Sequence, residues 1–217
     1  MKKCIILANG KPPVKGVINF LKKKDYNTLI CADGGANSVK KLGIIPDYII
    51  GDFDSVSKPT LNFFDGKSKM IKLKRQNDTD VEKCLKFAIK RKCEEIVLLG
   101  VTGNRLDHTF CNLGIVIKFY KKINLRLIAE NSLLVPYSGE VELKTIPGEI
   151  ISLYGLDKKT KITSTGLKYP LKNVSLQFGE KESTSNAATG NGITLNIKGG
   201  IIFLIRDFNI IKQYDLF

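Results

Sequence analysis

The sequence predicts an α/β domain followed by an all-β domain, and a change in its hydrophobic pattern supports this interpretation. Over residues 1–130, short β-branched apolar runs alternate with segments whose apolar residues recur at helical spacing. Such alternation is typical of βαβ units and of a mostly parallel, Rossmann-like sheet. Over residues 131–217 the helical spacing is lost, and short apolar runs follow at intervals of about ten residues. This second pattern is typical of a β-sandwich or a flattened barrel.

The first domain contains one helix with a clear pattern and six candidate strands. Val81, Leu85 and Ala88 recur at helical spacing, so residues 79–92 are expected to form a helix that packs on the sheet. Apolar runs predict strands at residues 4–8, 28–32, 48–51, 70–73, 96–101 and 125–128. In the second domain they predict strands at residues 141–143, 150–154, 174–178, 193–197 and 201–205.

The composition is that of an ordinary globular protein. Of the 217 residues, 43% are hydrophobic and 26% are charged, which argues against a disordered or fibrous chain. No apolar run reaches the roughly 18 to 20 residues of a membrane span, and the run after Lys2 and Lys3 is too short for a signal peptide. The five cysteines stand singly, without a C-x-x-C pair or zinc-ligand spacing. We therefore expect a cytoplasmic protein with reduced thiols.

The formal net charge of +14 makes nucleic-acid binding one possible function. The excess is mostly lysine, and it is spread along the chain without a recognisable nucleic-acid motif. A basic surface that attracts anionic nucleotides explains the same charge. We therefore expect neither a nucleic acid nor a membrane as a partner, and we keep nucleic-acid binding as an alternative.

Four aspartates gather where predicted strands end or a helix begins. They are Asp33 in CADGGAN, Asp52 and Asp54 in PDYIIGDFDS, and Asp80 in QNDTDVEKC. Ligands of an open α/β sheet bind at the carboxyl ends of its strands, so these side chains are expected to converge. Clustered carboxylates repel one another unless a cation neutralises them, and hard oxygen ligands suit Mg²⁺ that carries substrate phosphates. The pattern therefore predicts a magnesium site.

Each aspartate taken alone also has a purely structural explanation. Aspartate and serine are common in turns and at helix N-caps. Thr79 and Glu82 have the spacing of a capping box, which would leave Asp80 as a favourable charge in the first turn of a helix. The combination of G-D-x-D-S with D-x-T-D favours the functional interpretation.

The segment LLGVTGNRLDHTFCN, residues 98–112, has the features of a phosphate-binding loop. An apolar strand leads into a glycine-containing loop, and Arg105, Asp107 and His108 stand at the start of a helix. Backbone amides and a guanidinium in this arrangement would bind phosphate. A Gly-Asn turn followed by an aspartate cap is the structural alternative.

Other glycine-containing segments give weaker signals. Gly34 and Gly35 follow a predicted strand and would let a ligand approach the backbone closely. Gly66 and Lys67 resemble part of a Walker A motif, but Leu61 occupies the position of its first glycine. The chain is therefore not a P-loop kinase.

Two polar segments of the second domain could bind an aromatic ligand. They are TSTGLKYPL at 163–171 and STSNAATGNG at 183–192. Tyr169 offers a flat aromatic face, while Ser185 and Asn186 offer donors and acceptors for a heteroaromatic ring. Segments of this composition are also ordinary β-loops, so the alternative without a ligand stays open.

Taken together and in this order, the motifs resemble those of the thiamine pyrophosphokinase family. The motifs are D-G-G-A-N, P-D-x-I-x-G-D-F-D-S, D-x-T-D, G-x-R-x-D-H, G-L-K-x-P-L and S-N, and they span residues 31–192. The resemblance implies a magnesium-dependent enzyme that transfers diphosphate from ATP to thiamine, giving thiamine diphosphate and AMP. It also implies a homodimer with active sites at the subunit interface. Residues 1–130 would then bind ATP and magnesium, and residues 131–217 would bind thiamine and form the dimer.

The resemblance also implies roles for individual residues. The implied catalytic residues are Asp52, Asp54, Asp80, Arg105 and Asp107, and the first three of them also hold the metal. The implied ligand contacts are Asp33, Gly34, Gly35, Asn37, Ser55, Gln76, Asp78, Thr79, Asn104, His108, Lys168, Tyr169, Ser185 and Asn186. Phosphoryl transfer is catalysed largely by positioning and charge neutralisation, so no covalent enzyme intermediate is required.

The chain departs from the family pattern at two positions. Asn104 stands where the family commonly has a second glycine, so it has to adopt that backbone conformation. Tyr169 stands where the family often has tryptophan, which reduces the aromatic face and adds a hydroxyl. A different magnesium-dependent nucleotide enzyme, such as a ligase or phosphatase with another acceptor, is the main alternative within enzymes.

Overall fold

The computed structural model describes residues 2–74, 77–103 and 105–217. The chain divides into two compact units, Met1–Glu130 and Asn131–Phe217. Strands and helices alternate in the first unit, and the second consists mostly of strands, so the predicted fold class is confirmed. No helix in the described ranges has the length and hydropathy of a membrane span.

The described residues of the first unit form six strands and five helices. In chain order these are β1 (Lys3–Leu7), α1 (Lys15–Lys23), β2 (Thr28–Ala32), α2 (Gly35–Lys41), β3 (Tyr48–Gly51), α3 (Lys58–Phe64), β4 (Lys69–Lys72), α4 (Asp80–Lys90), β5 (Glu95–Leu99), α5 (Leu106–Phe119) and β6 (Asn124–Ala129). The strands lie in the order β6-β5-β1-β2-β3-β4, and every neighbouring pair is parallel. The chain moves outward from β1 to β4 and then continues on the other side at β5. The carboxyl ends of β1 and β5 therefore form the topological switch point, where such sheets bind ligands.

The central strands and α4 show why this unit folds as predicted. Ile5, Ile6 and Leu7 of β1 are fully buried, as expected for a strand with parallel neighbours on both sides. In α4, the Thr79 side chain accepts a hydrogen bond from the Glu82 amide, and Glu82 accepts one from the Thr79 amide. This capping box satisfies two backbone donors and defines where α4 begins.

The second unit contains five strands and one short helix. They are β7 (Ser132–Lys144), β8 (Ile150–Gly155), β9 (Lys161–Thr165), β10 (Ser183–Ala187), β11 (Gly192–Asp207) and α6 (Phe208–Gln213). The strands pair antiparallel in the order β10-β8-β11-β7, and β9 also pairs with β11. Fully buried Leu153, Ile162 and Leu176 belong to the core of this unit.

The strand boundaries predicted for the second unit were only partly correct. The runs at 193–197 and 201–205 belong to one long strand, β11, because a register shift between Ile197 and Ile202 accommodates the glycines between them. Residues 174–178 form only isolated bridges. The polar segments 163–171 and 183–192 have the composition of β-loops, but residues 163–165 belong to β9 and residues 183–187 form β10. Their polar residues give no apolar run even though their backbones pair in the sheet.

The cysteines correct a second expectation. Cys4 and Cys93 form a disulfide, whereas we expected reduced thiols throughout. Parallel pairing of β1 with β5 places Cys4 opposite Ile96, close to the segment that carries Cys93. Cys31, Cys84 and Cys111 are free thiols.

A buried ion pair holds the β7–β8 connection against β11. The Arg206 Nε donates to Glu149 Oε1 at 2.6 Å, and its second guanidinium nitrogen donates to Glu149 Oε2 at 2.8 Å. That nitrogen also donates to the Lys144 carbonyl oxygen at 2.8 Å. Both charged side chains are buried, so each depends on the other for compensation of its lost hydration.

We expect Glu149→Ala to lower the free energy of unfolding by about 3–5 kcal/mol, because it leaves the Arg206 guanidinium buried without its counter-ion. Urea unfolding followed by circular dichroism measures the change. Glu180→Ala is the matched control, since it breaks the exposed ion pair with Lys158 in the same unit. The control should lose less than about 1 kcal/mol. Equal losses in the two variants would contradict this account of the pair.

Candidate active site

Three carboxylates meet at the carboxyl edge of the parallel sheet. Asp33 follows β2, Asp52 follows β3 and Asp80 is the first residue of α4. Each offers one carboxylate oxygen, and these oxygens all lie within 4.8 Å of one another. The group has the oxygen ligands and the spacing that suit a hard divalent cation. The sequence pattern predicted that Asp33 converges with Asp52 and Asp80, and the close group confirms this, although the family resemblance implied Asp33 only as a ligand contact.

Asp33 is the most deeply placed of the three. Its residue is 2% exposed, and its Oδ2 accepts a hydrogen bond from the Ser55 amide at 3.2 Å. Its Oδ1 is buried and has no hydrogen-bond partner among the described residues. Burial raises the pKa of Asp33 to about 6, and the hydrogen bond from the Ser55 amide opposes this rise. A side-chain hydrogen bond with Asp54 and the charges of Asp80 and Asp54 add to it. A cation beside Oδ1 would supply the missing compensation.

The motif G-D-F-D-S forms a tight loop around this carboxylate. A side chain at Gly51 would bring its Cβ within 2.7 Å of the Asp33 Cβ, so Gly51 leaves room for Asp33. Phe53 adopts a left-handed conformation with φ of 68°, which turns the chain between Asp52 and Asp54. Asp54 is exposed and lies outside the group of three close carboxylates, although Ser55 Oγ donates to its Oδ1 at 2.9 Å.

Two further residues predicted to contact a ligand help to hold these loops. The Asn37 amide nitrogen donates to the Ser55 carbonyl oxygen at 3.0 Å, and its oxygen accepts from the Ser57 amide at 3.1 Å. Thr79 is the N-cap of α4, as the structural alternative predicted. These contacts position the acidic loops and leave a direct ligand role for the two residues as a prediction.

The start of α4 also carries two lysine–aspartate pairs. Lys83 Nζ donates to Asp80 Oδ1 at 2.8 Å, and Lys86 Nζ donates to Asp78 Oδ2 at 2.6 Å. The hydrogen bond from Lys86 lowers the pKa of Asp78. Sequence reasoning missed Lys83, although its position three residues after Asp80 on a helix was a signal that the two side chains lie on one face.

Glycines join the loops that follow β1 and β5 at the switch point. The Gly10 amide donates to the Gly100 carbonyl oxygen, and the Lys11 amide donates to the Thr102 carbonyl oxygen, both at 2.7 Å. A Cβ at Gly103 would lie 2.7 Å from the Lys11 nitrogen, and φ of Gly103 is 141°. The predicted phosphate loop is therefore fastened to the loop after β1, which sequence reasoning had not assigned to the site.

Gly34 and Gly35 are required by packing inside the unit. A Cβ at Gly34 would lie 2.5 Å from side-chain atoms of Asn9, and one at Gly35 would lie 2.2 Å from the Leu7 carbonyl oxygen. Close approach of the backbone to β1 and its loop accounts for both glycines. Contact of Gly34 and Gly35 with a ligand stays a prediction.

Arg105, Asp107 and His108 are all exposed around the start of α5. Arg105 Nε donates to Asp107 Oδ1 at 3.1 Å, and a second guanidinium nitrogen makes a closer contact with Asp107 Oδ2. The hydrogen bond with Arg105 lowers the pKa of Asp107 to about 2. The guanidinium is thus oriented by an anion that a phosphate could replace. Gln76 and Asn104, both predicted ligand contacts, lie outside the described residues.

In the second unit, Tyr169 and Asn186 have different environments. Tyr169 is 62% exposed, and Lys168 Nζ lies 5.5 Å from the centre of its ring. Asn186 is buried; its Oδ1 accepts a hydrogen bond from the Tyr169 amide at 3.0 Å, and its Nδ2 donates one to the Tyr169 carbonyl oxygen at 2.8 Å. Exposed Ser185 has φ of 56°, and its amide donates to Ser152 Oγ at 3.0 Å. Asn186 therefore holds the backbone from which the Tyr169 ring projects.

Comparisons with known proteins agree in both sequence and fold. A family model described as "Thiamin pyrophosphokinase, catalytic domain" matches residues 20–128, and one described as "Thiamin pyrophosphokinase, vitamin B1 binding domain" matches residues 138–202. Thiamin pyrophosphokinase 1 of Caenorhabditis elegans is 30% identical, with 98% of this chain and 92% of that protein covered. Thiamine pyrophosphokinase of Bacillus subtilis is 28% identical, with 95% and 99% covered.

Solved structures give the same result. The crystal structure of thiamine pyrophosphokinase from Bacillus subtilis has a TM-score of 0.81 at 26% identity and covers 95% of this chain and 99% of its own. The crystal structure of yeast thiamin pyrophosphokinase has a TM-score of 0.83 at 19% identity, with 98% and 89% covered. At that lower identity the yeast structure supports the fold alone.

The raised pKa of Asp33 predicts a pH dependence of stability. Between its unfolded value of about 4 and its folded value of about 6, the folded protein binds the proton more tightly than the unfolded chain. As the pH rises through this range, ionisation of Asp33 therefore lowers the free energy of unfolding of the metal-free protein. In EDTA, the free energy of unfolding of Asp33→Asn relative to that of wild type should rise by about 1–3 kcal/mol from pH 4 to pH 7. Urea unfolding of both proteins at the two pH values measures this change. The same difference between the proteins at pH 4 and at pH 7 would contradict the prediction.

Proposed function

The chain belongs to the thiamine pyrophosphokinase family, and we propose from this premise that it transfers a diphosphate group from ATP to thiamine. The products are thiamine diphosphate and AMP. The observation that carries the proposal is the convergence of Asp33, Asp52 and Asp80 at the carboxyl edge of the parallel sheet. Such a group of oxygen ligands suits a divalent cation that accompanies a nucleotide.

We propose that Mg²⁺ binds at this cluster. The proposed ligands Asp52, Asp54 and Asp80 gain Asp33 as a further candidate, because its buried Oδ1 is without a hydrogen bond among the described residues. Asp54, on the exposed side of the same loop, has room to reach a cation that carries a nucleotide. Bound magnesium supplies charge neutralisation for the phosphates, which is a principal contribution in phosphoryl transfer.

The reaction then requires the protein to orient two substrates and to stabilise charge. The hydroxyl oxygen of thiamine forms a bond to the β-phosphorus of ATP, and the bond from that phosphorus to the α,β-bridging oxygen breaks. The bridging oxygen keeps the electron pair and leaves with AMP, while the hydroxyl proton passes to a carboxylate of the site. Asp80 and Asp107 are the candidates for that acceptor. Arg105 donates hydrogen bonds to phosphate oxygens when it exchanges Asp107 for the nucleotide.

The second unit offers surfaces suited to the thiazolium and pyrimidine rings of thiamine. The exposed Tyr169 ring gives an aromatic face, and Lys168 and Ser185 are exposed polar neighbours in the predicted segments. We propose that Asn186 acts by holding the Tyr169 backbone, since its amide groups are used in those hydrogen bonds. Family resemblance further supports a cytoplasmic homodimer with active sites at the subunit interface.

Turnover is tested by incubating the protein with ATP, Mg²⁺ and thiamine and resolving the products. We expect thiamine diphosphate and AMP, with activity lost in EDTA and restored by Mg²⁺. Asp54→Asn and Asp80→Asn should each nearly abolish turnover while the protein stays folded, because each removes a charge that balances the cation.

Formation of ADP or free phosphate would instead support a ligase or phosphatase. Salt-sensitive RNA binding without turnover would support the nucleic-acid alternative.

The Tyr169 ring is tested by its effect on the two Michaelis constants. Tyr169→Ala should raise the KM for thiamine about ten- to a hundredfold, as loss of about 1.5–3 kcal/mol of aromatic contact implies. The KM for ATP should hardly change. Phe178→Ala is the matched control, because Phe178 is a similarly exposed aromatic residue of the same unit. If the KM for thiamine does not change in Tyr169→Ala, or changes equally in Phe178→Ala, Tyr169 is not part of the thiamine site.

A further inference from the structure

Lys83 places a buried positive charge beside the acidic cluster. Its side chain is only 6% exposed, although lysine is seldom buried unless it is paired. Its Nζ donates to Asp80 Oδ1 at 2.8 Å, and this is the only hydrogen bond of the ammonium within the described part of the chain. The same carboxylate belongs to the group of Asp33, Asp52 and Asp80. The ammonium and a bound cation would therefore share one ligand.

The surroundings keep Lys83 charged. Burial alone lowers the pKa of its ammonium, but the hydrogen bond that it donates to Asp80 and the charges of Asp80, Asp52 and Asp33 outweigh burial, so the net shift is upward. A buried ammonium is stable only where anions compensate for its lost hydration. Conversely, the three carboxylates repel one another less when a positive charge lies among them. In metal-free protein, the ammonium and the three carboxylates therefore stabilise one another.

We propose that Lys83 is the counter-ion of the acidic cluster when no metal is bound, and that it competes with Mg²⁺ for Asp80. This proposal rests on the magnesium site proposed above. The ammonium stabilises the metal-free fold and weakens the binding of a metal ion, because it adds a positive charge where the divalent cation binds. Lys83 thereby sets the range of free Mg²⁺ over which the cluster fills, and it keeps the carboxylates in place between turnovers.

A purely structural lysine would behave differently. If Lys83 only filled space or oriented Asp80 for the metal, its removal would leave metal affinity unchanged or lower it. Competition has the opposite sign, since removal of the ammonium should increase metal affinity while it destabilises the metal-free protein. The sign of the change in affinity therefore separates the two roles.

The experiment measures metal binding without nucleotide or thiamine, so it does not depend on turnover. Mn²⁺, a spectroscopic substitute for Mg²⁺, is titrated into metal-free wild type, Lys83→Met and Lys83→Gln, and free Mn²⁺ is followed by electron paramagnetic resonance. We expect the Kd of both variants for Mn²⁺ to be lower than that of wild type by about tenfold or more. Their Tm in EDTA should fall, and Mn²⁺ should raise it more than in wild type. Lys83→Gln retains a hydrogen-bond donor to Asp80, so its agreement with Lys83→Met assigns the effect to charge.

Lys86→Met is the matched control on the same helix. Lys86 also pairs with an aspartate, Asp78, which is not one of the clustered carboxylates. This control should bind Mn²⁺ as wild type does. Unchanged or weaker Mn²⁺ binding in the Lys83 variants overturns the proposal, as does failure of both to fold with and without Mn²⁺. Absence of Mn²⁺ binding in wild type overturns the metal site as well, whereas lack of thiamine turnover with normal Mn²⁺ binding overturns only the proposed reaction.

Discussion

The acidic site has to offset the repulsion between its negatively charged carboxylates. Three carboxylates from separate parts of the first unit bring their oxygens within 4.8 Å of one another. At such distances the negative charge of one carboxylate disfavours ionisation of its neighbours. The Ser55 amide, the N-terminal end of α4 and the Lys83 ammonium each offset part of this repulsion. The buried Asp33 Oδ1 marks where compensation is still missing among the described residues.

The same site depends on how closely backbone segments approach one another. Gly51 makes room for Asp33, and Gly10, Gly100 and Gly103 allow the loops after β1 and β5 to lie side by side. Backbone hydrogen bonds between the two loops hold the switch point together. A rigid backbone at this edge keeps the charged groups near the geometry that ligand binding requires, so less ordering is needed when a ligand arrives.

The two units contribute different chemistry to the proposed reaction. The first supplies carboxylates and an arginine that is already oriented by Asp107. The second supplies an exposed aromatic ring whose backbone is held by a buried asparagine. Nucleic-acid binding explains the net charge of +14 but gives no reason for carboxylates to gather at the carboxyl edge of the sheet. A nucleotide-dependent transferase accounts for both, because lysines attract the nucleotide and carboxylates hold its cation.

The sequence by itself determined the fold class, the helix that begins at the Thr79 capping box, and the acidic motifs that meet at one edge of the sheet. These features are local, because hydrophobic period, cap spacing and strand ends can be read within a few residues. Only the tertiary structure decided that Asp33 and not Asp54 joins the close group, that Lys83 is buried against Asp80, and that Asn186 turns inward to hold Tyr169. It also decided that the polar segments β9 and β10 are strands. Each of these outcomes depends on distances between residues far apart in the chain or on which side of an element is covered, and composition and spacing do not contain that information.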